Sequence, residues 1–308
     1  MRIKTIGVLT VLTLGLTIST ADAATAWPGA AATQTADGSN VFGKNLSGVS
    51  FESQGVVWAV KNGPSTLYRL VPSGSTWKVE SKRSLKFRNG GGDPDAEGVV
   101  STPDGLFVVS ERDNDNGDVS SPMVLKVGTG SNATNEWKLP GMPSVEPNEG
   151  PEGISWIPDS FLTAQGFRDD AGKVYNPADY PNHGTGLVAV GLEATGGIFL
   201  YALQDSGAKL VAKFASGQKE VMDLEWEGSR LWATCDNNCS GRATTLAITN
   251  GKFTLKATYD RPAKLPNVNL EGFALAPTCV NGKKTALWTD DDNTKGHALH
   301  TGSLNCTA

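Results

Sequence analysis

Short apolar runs that end in polar or glycine-bearing turns recur along the chain at a spacing of about 40 to 60 residues, a period that signals a radial or stacked repeat. Five segments open the repeats: Leu46-Ser47-Gly48-Val49, Ala96-Glu97-Gly98-Val99, Pro151-Glu152-Gly153-Ile154, Met222-Asp223-Leu224-Glu225 and Leu270-Glu271-Gly272-Phe273. A second apolar run follows each, at residues 56–60, 106–110, 161–164, 231–234 and 286–289. These runs close on polar rims: Lys61-Asn62, Glu111-Arg112-Asp113, Gln165, Asp236-Asn237 and Asp290-Asp291-Asp292. Third runs lie at 66–70, 123–127, 198–203, 244–248 and 297–301, and in four repeats a glycine turn leads on to a fourth. Asn250-Gly251 is the strongest of these turns, because both residues tolerate positive φ.

Four strands per unit describe a propeller blade. The predicted fold is all-β, a single β-propeller of five four-stranded blades, with residues 33–43 supplying the strand missing from the fifth repeat and closing the ring. The long third repeat, Pro151 to Asp223, leaves room for a sixth blade, but residues 168–186 have loop composition and are read as an insertion. No 3.6-residue period supports a substantial helix, and a twisted β-sandwich would not repeat one strand and one polar rim in this way. Trp58, Trp232 and Trp288 recur at one repeat position and are assigned to packing between blades.

Composition agrees with this reading and narrows the compartment. The 308 residues include 36 Gly and 16 Pro with 39% hydrophobic and 19% charged residues, too apolar for disorder and too rich in turns for a helical bundle. A net charge of −5 with no basic run argues against nucleic-acid binding. Residues 1–23 show the charged, apolar and small-residue order of a secretory signal peptide cut after Ala23, leaving residues 24–308 as one propeller domain, exported and expected to be monomeric. No other segment is apolar for long enough to span a membrane. Four cysteines in an oxidising compartment imply two disulfides; of three connectivities, Cys235 with Cys239 and Cys279 with Cys306 are favoured.

Equivalent positions of the opening strands face one axis in a propeller, and here they are Ser47, Glu97, Glu152, Asp223 and Glu271. Carboxylates crowded around an axis repel one another unless neutralised, and calcium is the extracellular hard cation that does so. The structural alternative is that each carboxylate accepts backbone N–H bonds from a neighbouring blade. At the rim, Glu111, Asp236 and Asp291 stand with the cations Lys61, Arg112, Arg168 and Arg242 and the amides Asn62 and Gln165, a set suited to a small anionic molecule. Water polarised by the metal would be the nucleophile, with Glu111 or Asp236 as proton acceptor. The run Asp113-Asn114-Asp115-Asn116-Gly117-Asp118 departs from the EF-hand spacing and reads as a solvated turn, and no G-x-S-x-G elbow is present.

The openings Asp95-Ala96-Glu97-Gly98-Val99, Gly150-Pro151-Glu152-Gly153-Ile154 and Asn269-Leu270-Glu271-Gly272-Phe273, with strands such as Val109-Ser110-Glu111-Arg112, resemble the secreted bacterial esterase-like, phytase-like β-propeller family. Similar Glu-Gly openings occur in propellers of the regucalcin and gluconolactonase type. There the glutamate binds the catalytic divalent metal, a role the resemblance would place on Glu97, Glu152 or Glu271. The expected function is a calcium-dependent hydrolase of an ester, phosphate ester or lactone, of an anionic small molecule. The alternative is a non-catalytic ligand-binding or envelope-associated propeller.

Overall fold

The computed structural model describes residues 24–306; the expected signal peptide lies outside the described residues. After β1 (Gln34–Thr35), the chain builds five antiparallel four-stranded blades in a ring. Blade 1 is β2 (Leu46–Ser53), β3 (Val56–Lys61), β4 (Thr66–Ser73) and β5 (Thr76–Ser84); blade 2 is β6 (Pro94–Thr102), β7 (Gly105–Asp113), β8 (Ser120–Val127) and β9 (Ala133–Lys138). Blade 3 comprises β10 (Pro151–Pro158), β11 (Gly186–Leu192), β12 (Gly197–Gln204) and β13 (Gly207–Ala215), with helix α1 (Asp159–Ala164) between its first two strands. Blade 4 is β14 (Asp223–Glu227), β15 (Arg230–Thr234), β16 (Ala243–Thr249) and β17 (Lys252–Tyr259). Blade 5 is β18 (Leu270–Leu275), β19 (Lys283–Asp290) and β20 (Leu299–Asn305), completed by β1, which pairs with β20 through Gln34↔Thr301 and Thr35↔His300. The expected closure by residues 33–43 is therefore present, and no sixth blade is hidden in the third repeat.

The gradient of polarity across each blade follows from what its strands touch. Innermost strands pack against their counterparts on both sides and are nearly all apolar inside; β18 is buried throughout. Outermost strands meet solvent, so β17 buries only Phe253. Five hydrophobic clusters fill the five seams between adjacent blades. Trp232 and Trp288 pack at the blade 4–5 seam with Phe273 and with Trp27 of the N-terminal segment, while Trp58 lies at the blade 1–2 seam under Arg69 and Arg83. The Asn250-Gly251 turn has φ of 53° and 79°, the mirror-image geometry that matches strand twist.

One strand assignment is corrected. Residues 161–164 form the end of α1 rather than the second strand of blade 3, which is β11. Their Phe161-Leu162 pair imitates a strand locally, but Leu162 is the buried residue of a short helix capping the end of β10. Residues 168–186 are the expected insertion, placed between the first and second strands of the blade. Both favoured disulfides are formed, Cys235–Cys239 and Cys279–Cys306. No helix among the described residues is long and apolar enough to cross a membrane.

Candidate functional site

Every innermost strand starts, and every second strand ends, at the same end of the ring, as the pairs Leu46↔Lys61, Pro94↔Asp113, Pro151↔Leu192, Asp223↔Thr234 and Leu270↔Asp290 require. The opening residues thus converge on the axis. In blades 1, 2, 3 and 5 the ladder slips at the Ser-Gly or Glu-Gly pair, between Leu46 and Val49, Ala96 and Gly98, Pro151 and Ile154, and Leu270 and Phe273. Such a bulge re-aims a side chain. The glycine is needed because the strands nearly touch there: a Cβ on Gly98 would stand 2.6 Å from the Glu152 carbonyl oxygen, and one on Gly272 would stand 2.4 Å from that of Ser47. Blade 4 has Leu224 at this position and a regular ladder.

Glu97, Glu152 and Glu271 each bring a carboxylate oxygen within 4.8 Å of the others, and all are buried. Asn62 Nδ2 donates to Glu97 Oε2 at 3.2 Å, and Asn269 Nδ2 to Glu271 Oε1 at 3.0 Å. Around them, Glu271 Oε2, Asn62 Oδ1 and Asp291 Oδ1 are buried with no donor. Burial first, and the neighbouring carboxylates second, hold all three glutamates well above the usual carboxylate range. Burial and Asp292 push Asp291 up to about 6. Apart from the two asparagine amide groups, this is a constellation of acceptor oxygens that either retains protons or takes a cation.

Asp223 does not join it. Its Oδ1 accepts the Leu224 N–H at 2.8 Å and its Oδ2 the Phe273 N–H at 2.7 Å, so this carboxylate ties blade 4 to blade 5. The shorter side chain on an unbulged strand reaches the neighbouring backbone instead of the axis. Asp223 thus takes the structural alternative, whereas the three glutamates do not.

The rim also departs from expectation. Glu111 Oε1 accepts three backbone N–H bonds, from Asn148 at 2.5 Å and from Glu149 and Gly150 at 3.1 Å, while Oε2 faces Arg112 Nη1 at 3.3 Å. Arg112 is further held by Asp95 at 2.7 Å and Asn148 Oδ1 at 3.0 Å. Asp236 caps the turn after β15, accepting the Asn238 N–H at 2.8 Å. Glu111 and Asp236 both anchor loops, and burial raises the pKa of each carboxyl. Asp236 also neighbours Glu220 and the two cysteines, but the latter form a disulfide and offer no thiolate.

Lys61 Nζ, bonded to the Phe42 carbonyl oxygen at 3.3 Å, stays at the carboxylate end, and Arg242 lies exposed there beside Asp260 at 3.1 Å. Gln165 and Arg168 do not. They follow α1 at the opposite end of the ring, where Arg168 donates to the Gly172 carbonyl oxygen at 2.8 Å. The cause is the misassigned strand: residues after 161–164 are a rim only if those residues run back toward the axis opening. The run 113–118 forms a turn in which Asp113 Oδ1 accepts the Asp93 and Asp115 N–H groups at 2.8 and 3.1 Å.

The true rim residue of blade 3 is Glu193, directly after β11. It is half-buried, its side chain makes no hydrogen bond among the described residues, and burial with the charges of Glu220, Asp236 and Glu111 pushes it up to about 7. A signal for it exists in the sequence, since Leu187-Val188-Ala189-Val190-Gly191-Leu192-Glu193 is itself an apolar run closed by a polar rim.

A raised carboxyl pKa favours the folded state while the group is protonated, and that contribution is lost as pH rises through the folded value. Protein kept in chelator is therefore expected to lose stability between about pH 5 and pH 8, with Asp291 and then Glu193 ionising in that window. Melting temperatures across this range, with chelator and with calcium, check it; a chelated protein that gains stability toward pH 8 contradicts it.

No protein-family model matches the chain, and no curated protein matches it. Among solved structures it is similar to a glutaminyl cyclase of Myxococcus xanthus, with 14% identity over 88% of this chain and 95% of the other and a TM-score of 0.52. An aldose sugar dehydrogenase of Streptomyces coelicolor, in its PQQ-bound form, matches with 10% identity over 89% of this chain and 98% of the other and a TM-score of 0.44. At such identities the first likeness speaks for the β-propeller fold alone, and the second adds nothing to it.

Proposed function

We propose that the protein is an exported, calcium-dependent hydrolase acting on an ester, phosphate ester or lactone, of an anionic small molecule at the axial centre. The observation that carries this reading is the convergence of Glu97, Glu152 and Glu271, with unpartnered acceptor oxygens on Glu271, Asp291 and Asn62, beside the unbonded carboxylate of Glu193. Calcium takes six to eight oxygen ligands from carboxylates, amides and water, and this donor set fits it. The three glutamates would hold the ion, with Asp291 and Asn62 at its margin. Bound there, calcium would supply Lewis-acid polarisation of the ester oxygen.

The chain supplies the rest. Glu193, tuned near neutral pH, accepts the proton of the attacking water, the role expected above of Glu111 or Asp236. Lys61 and Arg242 draw the anionic group to the rim. A second reading, a non-catalytic ligand-binding propeller, is favoured by the carboxylates of Asp223, Glu111 and Asp236, which are all spent on backbone N–H groups.

Metal analysis and calcium-dependent melting of the purified protein test the proposal. Stoichiometric calcium is expected, and at a hundredfold excess over Kd it should add about 2.7 kcal/mol of stability. Chelation should abolish turnover in a screen of phosphate esters and lactones. Absence of both metal and a calcium-dependent shift would return the three glutamates to structural roles and favour the second reading.

A further inference from the structure

A cavity of about 340 Å³ opens at the carboxylate end of the ring over the seam where the propeller closes. It is bounded by residues 33–35 of the closing segment, by Lys264 and Pro266 of the link from β17 to β18, and by Thr294, Lys295, His297 and His300 around the start of β20. Its charged and ionisable lining is two lysines and two histidines, with no carboxylate. Two acids beside its histidines, Asp37 and Asp290, are already engaged. Asp37 accepts from His297 Nδ1 at 3.1 Å and from the Ala298 N–H at 2.9 Å, and Asp290 accepts the N–H groups of Asp292 and Thr294 at 3.1 and 3.0 Å. Lys264 and Lys295 are in no ion pair among the described residues.

Two further observations point to a ligand. His300 has 8% of its side chain exposed and makes no hydrogen bond; its Nε2 is buried without a partner, 3.9 Å from Asp290 Oδ2. The other ring nitrogen, Nδ1, also makes no hydrogen bond and is not a buried atom, so in the Nδ1–H tautomer the ring offers a free donor at the cavity it lines. Lys295 is held at φ 56°, in the left-handed region that a lysine seldom occupies, and backbone strain of this kind concentrates at ligand clamps.

We infer that this cavity binds a small tetrahedral oxyanion, as inorganic phosphate or as the phosphoryl group of a larger molecule, at a site separate from the axial carboxylates. Lys264 and Lys295 supply the charge and the His300 ring an N–H donor. The oxyanion then joins the closing segment, the link between blades 4 and 5 and the β19–β20 turn, and so fastens the seam of the ring. This inference does not rest on the hydrolase reading, because it needs neither calcium nor turnover.

The test titrates inorganic phosphate, and separately glycerol phosphate, into chelated protein while the histidine ring nitrogens are followed by long-range ¹H–¹⁵N NMR and the melting temperature is recorded. A saturable shift of His300 with a rise in melting temperature is expected. The double variant Lys264→Gln, Lys295→Gln should melt normally without phosphate and bind it at least about tenfold more weakly, while Glu152→Gln should bind it as the parent does. Tighter binding of the ester than of the free ion would identify a phosphoryl-bearing ligand, and equal binding the free ion. A silent His300, unchanged affinity in the double variant, or loss of binding in Glu152→Gln would each overturn the inference.

Discussion

Gly98→Val is expected to prevent the ring from closing, with a loss of stability beyond about 4 to 5 kcal/mol, the range reached only when packing fails outright. A Cβ at Gly98 would lie 2.6 Å from the Glu152 carbonyl oxygen and 3.0 Å from both the Ile154 nitrogen and its Cγ2. Two of these are backbone atoms of the next blade, which cannot move without shifting Glu152 and the bulge that aims it. Because the innermost strands of all five blades touch in a closed circuit, displacement at one seam is passed to the others. The control is Gly55→Ala, where a Cβ meets nothing within 4 Å. Urea unfolding of both variants checks the prediction. A Gly98→Val protein with the parental midpoint would mean that the axial strands have room for the added side chain.

Glu193→Gln is expected to lower kcat by about 10²- to 10⁴-fold, the usual worth of a positioned general base. Calcium affinity should change little, since Glu193 does not belong to the axial triad, and the melting temperature should not fall; in chelator at pH 8, where ionised Glu193 costs stability, the neutral amide should raise it. In the parent, activity should fall as pH drops and Glu193 takes up its proton; calcium at the centre moves that limb below the value of about 7 reached by the metal-free site. The variant should lose the limb altogether. By contrast, Glu111→Gln removes the negative charge that three backbone N–H groups and Arg112 hold in place, so its main effect should be on stability. Kinetics of both variants across pH, on the best ester found, separate the roles. Equal loss of kcat and of melting temperature in Glu193→Gln would make it a structural residue.

Gly98 belongs to the repeated Glu-Gly opening, visible along the chain because every blade solves the same problem of bringing a backbone close to the axis. Glu193 is hidden in the sequence because residues 161–164 match the strand pattern over four positions, too few to distinguish a strand from one turn of helix. The insertion behind them then carried Gln165 and Arg168 to the far end of the ring.

What the sequence determined by itself was the repeat, and with it the propeller, the closing strand and the insertion. These follow from local polarity, turn chemistry and spacing, which a linear chain displays directly. The sequence favoured five blades over six and one of three cysteine pairings, and the structure decided both. It also marked Glu97, Glu152 and Glu271 as axial. Only the tertiary structure decided which acids remain free. Asp223 is satisfied by Phe273, 50 residues away, and Glu111 by the loop at Asn148, 37 residues away. A carboxylate's identity is written in the sequence, but its unspent hydrogen-bonding capacity depends on which backbone groups another blade brings within 3 Å or so of it.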